Sequence, residues 1–204
     1  MPQTKTRSTR RPSRTKSQDA IALLKGDHRG VEKLFSRFQG LSDRAVKGAQ
    51  DVVQRVVREL SIHAAIEEQV LYPALRHEVT GGDRLAEEAI REHQQVKDRL
   101  ARIERYDVES DRAALNREMD ALIKDVKHHV KEEEHEIFPK LRKELDRKRL
   151  VQMGELMSTA KKVAPTRPHP HAPATPPANL VMGAAAGVMD RARDALREAR
   201  RART

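Results

Sequence analysis

The feature that most constrains this chain is a pattern it contains twice. His63-Ala-Ala-Ile-Glu67-Glu68-Gln-Val-Leu-Tyr72-Pro73-Ala-Leu75 lies over His129-Val-Lys-Glu-Glu133-Glu134-His-Glu-Ile-Phe138-Pro139-Lys-Leu141. The shared form is His-x3-Glu-Glu-x3-aromatic-Pro-x-Leu. Upstream, Asp27-His28-x2-Val31 matches Glu92-His93-x2-Val96, and the intervals between histidines agree: 63 − 28 = 35 and 129 − 93 = 36. The chain therefore reads as two copies of one helical hairpin.

Helix geometry gives the repeat its chemistry. Residues i and i+4 lie about 40° apart on one helical face, so His63 points with Glu67 and His129 with Glu133. Packing two such hairpins about a pseudo-twofold axis would bring both pairs together and add His28 and His93 from the partner helices. The expected result is four imidazoles and two carboxylates in the middle of a bundle, the outline of a dinuclear metal site. With no cysteine in the chain, ligands must be nitrogen and oxygen. That excludes thiolate sites, iron-sulfur clusters and disulfide frameworks. Imidazole with carboxylate suits iron, manganese or zinc, whereas calcium and magnesium want more oxygen. Glu67 and Glu133, at matched positions on opposed helices, are the natural bridges between two metals.

The rest of the sequence supplies the helices. Ile21, Leu24, His28, Val31, Leu34, Phe35 and Phe38 recur at helical spacing from Asp19, with Gly40 as the stop. A second run begins with Val52, Val53, Val56 and Val57, reaches Pro73, and ends before Thr80-Gly81-Gly82. A third extends from about Asp83 to Tyr106-Asp107, and a fourth starts near Ser110, read as an N-cap, and continues to Leu141. No Trp, two Tyr and three Phe leave a core of aliphatic residues, which suits helices better than sheets. The expected fold is all-α: an antiparallel up-down-up-down four-helix bundle over residues 18–160. A short helix around Leu150 to Met157 ends it. A disordered basic arm (1–17), a Pro/Ala/His-rich linker (161–178) and a basic amphipathic C-terminal helix (179–204) complete the chain.

These motifs in this order resemble the hemerythrin-like HHE cation-binding domain family, over about residues 19 to 160. The resemblance implies two iron ions joined by an oxo or hydroxo bridge, with manganese or zinc less favoured, able to meet dioxygen, peroxide or nitric oxide. A role in oxidative or nitrosative stress and a peroxide-decomposing activity are the functions it suggests. Oxygen-carrying members place His-x3-His on the third helix, but here His93 has Ala89 before it and Lys97 after it. Four histidines, two bridging glutamates and an oxygen bridge fill all but about two of the twelve positions around two six-coordinate irons. A more open site favours reaction over reversible carriage. The alternative is a non-enzymatic iron or redox sensor whose basic tails dock an acidic partner.

Other residues read less sharply. Glu59 and Asp125 lie four before His63 and His129 and could accept an imidazole N–H. Glu68 and Glu134 are flagged by the repeat without a role. Tyr72 and Phe138 read as core, Pro73 and Pro139 as kinks or stops, Glu32 as a surface-pairing group, and His77, His128 and His135 as outside the site. His169 and His171 in the linker promise no defined site.

The formal charge of +10 sits in the tails. Residues 1–17 carry +6, residues 160–204 carry nine bases against three acids, again +6, and the remainder is 10 − 12 = −2. Such tails could attract nucleic acid or an anionic surface, although no aromatic interleaving supports sequence reading. No apolar run approaches a membrane span of ~20 residues, and the expected location is the cytoplasm. Nothing in the sequence fixes the oligomeric state.

Overall fold

Asp19 opens the first helix, its carboxylate accepting the N–H of Ala22 at 2.8 Å, as an N-cap should. The computed structural model describes residues 18–201, and among them there are helices and no β-strand. The arm expected over residues 1–17 lies outside the described residues. Helix α1 spans Ala20–Gln39 and buries the residues that the spacing selects: Ile21, Leu24, His28, Val31, Leu34, Phe35 and Phe38. Helix α2 (Val46–Ile66) runs into a π-helical turn, π1 (Glu67–Leu71), then α3 (Tyr72–Glu78). Helix α4 is Gly82–Ile103. Helix α5 (Arg112–Glu132) repeats the pattern of α2, passing through π2 (Glu133–Ile137) into α6 (Phe138–Glu144). Helix α7 is Arg147–Ala160 and α8 is Ala178–Arg201.

The π turns revise the sequence reading of the prolines. Pro73 and Pro139 neither end nor sharply break their segments; each sits at the start of the α-helix that follows a π turn. A proline has no N–H to donate and crowds the carbonyl four residues back. Lengthening one turn removes that conflict. The N–H of Tyr72 donates to the Glu67 carbonyl, five residues back, and Phe138 donates to Glu133 in the same way. Ser110 is also corrected. Its N–H and hydroxyl are taken by the Asp107 carboxylate in a turn, and α5 begins only at Arg112.

Two apolar clusters flank a polar layer. One gathers Ile21 and Leu24 at the start of α1, Ile62 and Ile66 at the end of α2, Leu85 and Ala89 at the start of α4, Phe138 and Leu141 beyond π2, and Met153 and Met157 of α7. The other joins Phe35 and Phe38, Val52 and Val56, Leu100 and Ile103, and Leu115 and Met119. Each large side chain buried in this way stabilises the fold by about 1.5–3 kcal/mol. Between the clusters lie the buried histidines and glutamates of the repeat.

The C-terminal third is docked against the helices. At Gly154, α7 crosses the start of α1 so closely that a Cβ would stand 2.2 Å from the Gln18 carbonyl oxygen. Residues 161–178, expected as an extended linker, carry no long helix yet pack on the rest: Thr166 is buried, and Gln94 donates to the Pro170 carbonyl. Buried Asp190 of α8 accepts the N–H groups of Thr166 and Arg167 and faces His169 Nε2 at 3.0 Å. Arg167 also pairs with Glu104 and Asp194, so His169 and Arg167 have defined partners. Among the described residues no helix is long and apolar enough to cross a membrane.

Candidate metal centre

The six residues selected by the repeat converge. His28, His63, Glu67 and Glu133 present ligand atoms all within 4.8 Å of one another, and Glu67, His93 and His129 form a second group sharing Glu67. All six are buried, Glu67 and Glu133 completely. Ring pairs stand on either side of the two carboxylates: His28 with His63 at 4.9 Å between centroids, and His93 with His129 at 4.7 Å. Inward-facing Nε2 atoms reach the carboxylates at 3.3 Å (His28 to Glu133), 3.2 Å (His63 to Glu67), 3.4 Å (His93 to Glu67) and 3.7 Å (His129 to Glu133).

Each outward Nδ1 faces a further acid. Within a hairpin, Asp27 meets His63 at 3.5 Å and Glu92 meets His129 at 2.8 Å. Between hairpins, Glu68 meets His93 at 3.1 Å and Glu134 meets His28 at 2.9 Å. The pseudo-twofold relation of the sequence is thus kept in the outer ring: the acid before the first histidine serves its own hairpin, and the acid after the bridging glutamate serves the other. Glu59 and Asp125 do not take this role. Glu59 is exposed, and Asp125 pairs with Arg99 at 2.9 Å. Cations stand behind the ring, with Lys161 on Asp27, Lys97 on Glu68 and Lys25 on Glu134, and exposed His128 lies near Glu92.

This ring fixes the tautomers. An ionised carboxylate only accepts, so each Nδ1 carries a hydrogen, and an imidazole with a single hydrogen turns its Nε2 lone pair inward. The Nε2 atoms of His93 and His129 then face each other at 3.1 Å. A proton or a metal ion between them would relieve that arrangement. His28 Nε2, His63 Nε2, both Glu67 oxygens and Glu133 Oε2 are buried with no hydrogen-bond partner. Each such orphan costs about 1–3 kcal/mol, more when charged. With every acid ionised and every imidazole carrying one hydrogen, the forms that ligate a metal, six carboxylates against Lys25, Lys97 and Lys161 leave −3, which suits divalent cations.

Electrostatics in the metal-free protein carry the same message. Burial pushes His63 down to about 4, with Asp27 working against it. Burial also lowers His93 despite its bond to Glu68, whereas at His129 burial is outweighed by the neighbouring Glu133 and Glu92 carboxylates, which raise it. Burial works against the charge on Glu133, but His129, His28 and His63 outweigh it and hold the carboxyl low. Glu67, buried beside that negative charge, is driven well above the usual range. One of the two central carboxyls therefore keeps a proton where a cation would otherwise sit.

Tyr72, read from sequence as core, is a functional candidate that the repeat concealed. Its hydroxyl lies 3.0 Å from His93 Nε2 and donates to Glu133 at 3.3 Å. Its counterpart Phe138 has no hydroxyl and stacks on His28 at 5.9 Å. In a regular α-helix a residue five past Glu67 lies about 140° away; the wider π turn brings it back over Glu67. Asp27 and Glu92, by contrast, carried a signal, since both precede a histidine at matched positions. His77, His128 and His135 are exposed and add no donor to the central groups.

Comparison with known proteins agrees with this geometry. Residues 19–141 match the hemerythrin HHE cation-binding domain family. An uncharacterised hemerythrin-like protein of Schizosaccharomyces pombe is 30% identical over 181 residues, 88% of this chain and 86% of that one. The fold is similar to the crystal structure of a hemerythrin HHE cation-binding domain-containing protein of Mycobacterium kansasii. That likeness has a TM-score of 0.61 at 23% identity, over 71% of this chain and 86% of the other.

Proposed function

Since this chain belongs to the hemerythrin HHE cation-binding domain family, we propose that it is a di-iron protein that binds or reacts with dioxygen, peroxide or nitric oxide. The observation that carries the reading is the set of buried, inward-facing donors without partners, each imidazole backed by an acid. In this reading His28 and His63 would hold one iron and His93 and His129 the other, with Glu67 and Glu133 as the carboxylate donors between them, within an up-down-up-down four-helix bundle. The pairing of the rings supports that division.

Iron so held supplies redox chemistry and an open coordination position. The chain's own residues do the rest. Asp27, Glu68, Glu92 and Glu134 fix the imidazoles in the ligating tautomer and raise their basicity. The flanking apolar clusters limit water. Tyr72, neutral because burial and the Glu133 charge raise its pKa, places a hydroxyl beside His93. There it can donate a hydrogen bond to a small oxygen ligand and stabilise the charge that develops on it.

The test is metal analysis of full-length protein made in iron-replete cells, followed by absorption spectra with and without peroxide. About two irons per chain and an oxygen-to-iron charge-transfer band that responds to peroxide are expected. Less than one iron per chain, or a featureless spectrum, would overturn the reading.

A further inference from the structure

The polar layer opens on one side into a cavity of about 580 Å³ between α1 and α5. Dioxygen or peroxide needs little more than the ~30 Å³ share of a water molecule, whereas cavities of ~300–1,000 Å³ hold organic ligands. This space is larger by an order of magnitude than the reaction proposed above requires.

Its lining is graded. The inner end is formed by His28, His63, His93 and His129, and the walls by aliphatic side chains such as Val31, Leu60, Val96 and Val126, with Phe35. At the rim stand Lys25, Arg29, Lys127 and Lys131, with Asp27, Glu32 and Glu134 as the only acids. Two of those acids are already occupied, Asp27 by Lys161 and Glu134 by Lys25. Arg29, Lys127 and Lys131 are exposed and have no ion-pair partner among the described residues, so they face Glu32 alone. An apolar tunnel with an excess of unpaired cations at its mouth matches a molecule with an apolar chain and an anionic head. The chain's own first 17 residues, at +6, carry the wrong sign for such a rim.

We propose that this cavity binds a medium-chain carboxylate, its head at Arg29, Lys127 and Lys131 and its chain directed towards the four histidines. The idea rests on the metal-centre reading only for why such a ligand would be brought there. Binding itself depends on the cavity, so it is measured on both metal-loaded and metal-free protein.

The experiment is calorimetric titration of the full chain with octanoate, decanoate, decanol and decyltrimethylammonium, all below their aggregation concentrations. Decanoate is expected to bind about fifteenfold more tightly than octanoate, since each of its two extra methylenes contributes a factor of about four. It should exceed decanol by at least tenfold, and the cationic amphiphile should not bind. The double variant Lys127→Glu, Lys131→Glu should lose at least tenfold in decanoate affinity with metal content unchanged. Val130→Trp, which narrows the cavity wall, should weaken decanoate and decanol alike. Should that variant not fold, the two exposed lysines still carry the test. Absence of binding, equal affinity for decanoate and decanol, or indifference to the lysine changes would overturn the proposal. Iron content measured on the same samples separates this failure from failure of the metal reading.

Discussion

The Tyr72 hydroxyl stands 3.0 Å from His93 Nε2, while the residue that answers to Tyr72 in the other half of the repeat, Phe138, offers His28 only a ring face. At this matched position the two halves of the centre therefore differ by one hydroxyl. Tyr72→Phe should keep the helical content and the metal content, and change metal-free stability by no more than about 1 kcal/mol. It should slow reaction with peroxide by roughly tenfold to a hundredfold, as loss of a positioned donor does. Stopped-flow absorption of the loaded protein reads the rate. An unchanged rate would reduce Tyr72 to the packing role its sequence position suggests.

The outer ring predicts a contrast between acids that look equivalent in sequence. Asp27→Asn and Glu92→Gln should each weaken metal binding by about 10–100-fold, because His63 and His129 lose the partner that fixes their tautomer. Asp125→Asn and Glu59→Gln should leave affinity unchanged. Asp125 gives up only its partly exposed pair with Arg99, worth about 0–1 kcal/mol. Competition with a chromophoric chelator measures all four.

These contrasts show what was legible in the sequence. Periodicity of 3.6 picks out the buried face of α1 residue by residue, and the internal repeat picks out the convergent donors, because both depend on regular helix geometry. Three things were not legible. A π turn adds one residue to a helical turn and leaves no compositional mark beyond the proline after it, so the direction of Tyr72 could not be read. The partner of each imidazole is set by interhelical packing, which favours Asp27 and Glu92 over acids four residues away on the same helix. The region after residue 160 reads as a Pro/Ala/His-rich linker and a basic helix, with no signal that either packs on the bundle. It docks instead through polar contacts such as Asn179 to the Glu68 carbonyl, which periodicity does not register.

Docking of α8 should depend on Gly187. A Cβ there would lie 2.0 Å from the Val163 carbonyl oxygen, and backbone on both sides leaves little room to give. Gly187→Ala should raise α8 from the surface, at a cost of about 1–3 kcal/mol to that contact. Hydrogen exchange over residues 178–195 should speed up while metal content holds. Loss of metal together with docking would instead make α8 a structural part of the centre, through Asn179 and the π turn it touches.

Acid should loosen the same contact. Burial disfavours the Asp194 charge, but Arg167 and Thr166 outweigh it and hold the carboxyl below its usual value. A depressed folded pKa means that the contribution is fully present above the unfolded value, about 3.9, and is lost as pH falls through the folded one. Wild-type protein should show faster exchange in α8 below about pH 4. Asp194→Asn should show it already at neutral pH, with less further change in acid.

The central carboxyls give the opposite sign. In the metal-free protein Glu67 is driven up by burial and by the Glu133 charge. Its folded state therefore holds a proton that the unfolded chain releases near pH 4.3. Between those two values the folded form binds more protons, so its contribution to stability declines as pH rises. Glu67→Gln, which imitates the protonated form, should remove that decline and leave the metal-free protein at least as stable as wild type at neutral pH. Glu133→Gln should destabilise it, because His129, raised by the Glu133 carboxylate, loses that counter-charge. Metal inverts the preference, since a cation pair favours both carboxylates in their ionised forms. Loading wild-type protein in weak buffer should therefore release protons, and both variants should bind metal poorly. Thermal melts of the metal-free proteins at several pH values, with proton release followed on metal addition, check each step. A Glu67→Gln protein that is less stable than wild type without metal would contradict a protonated Glu67.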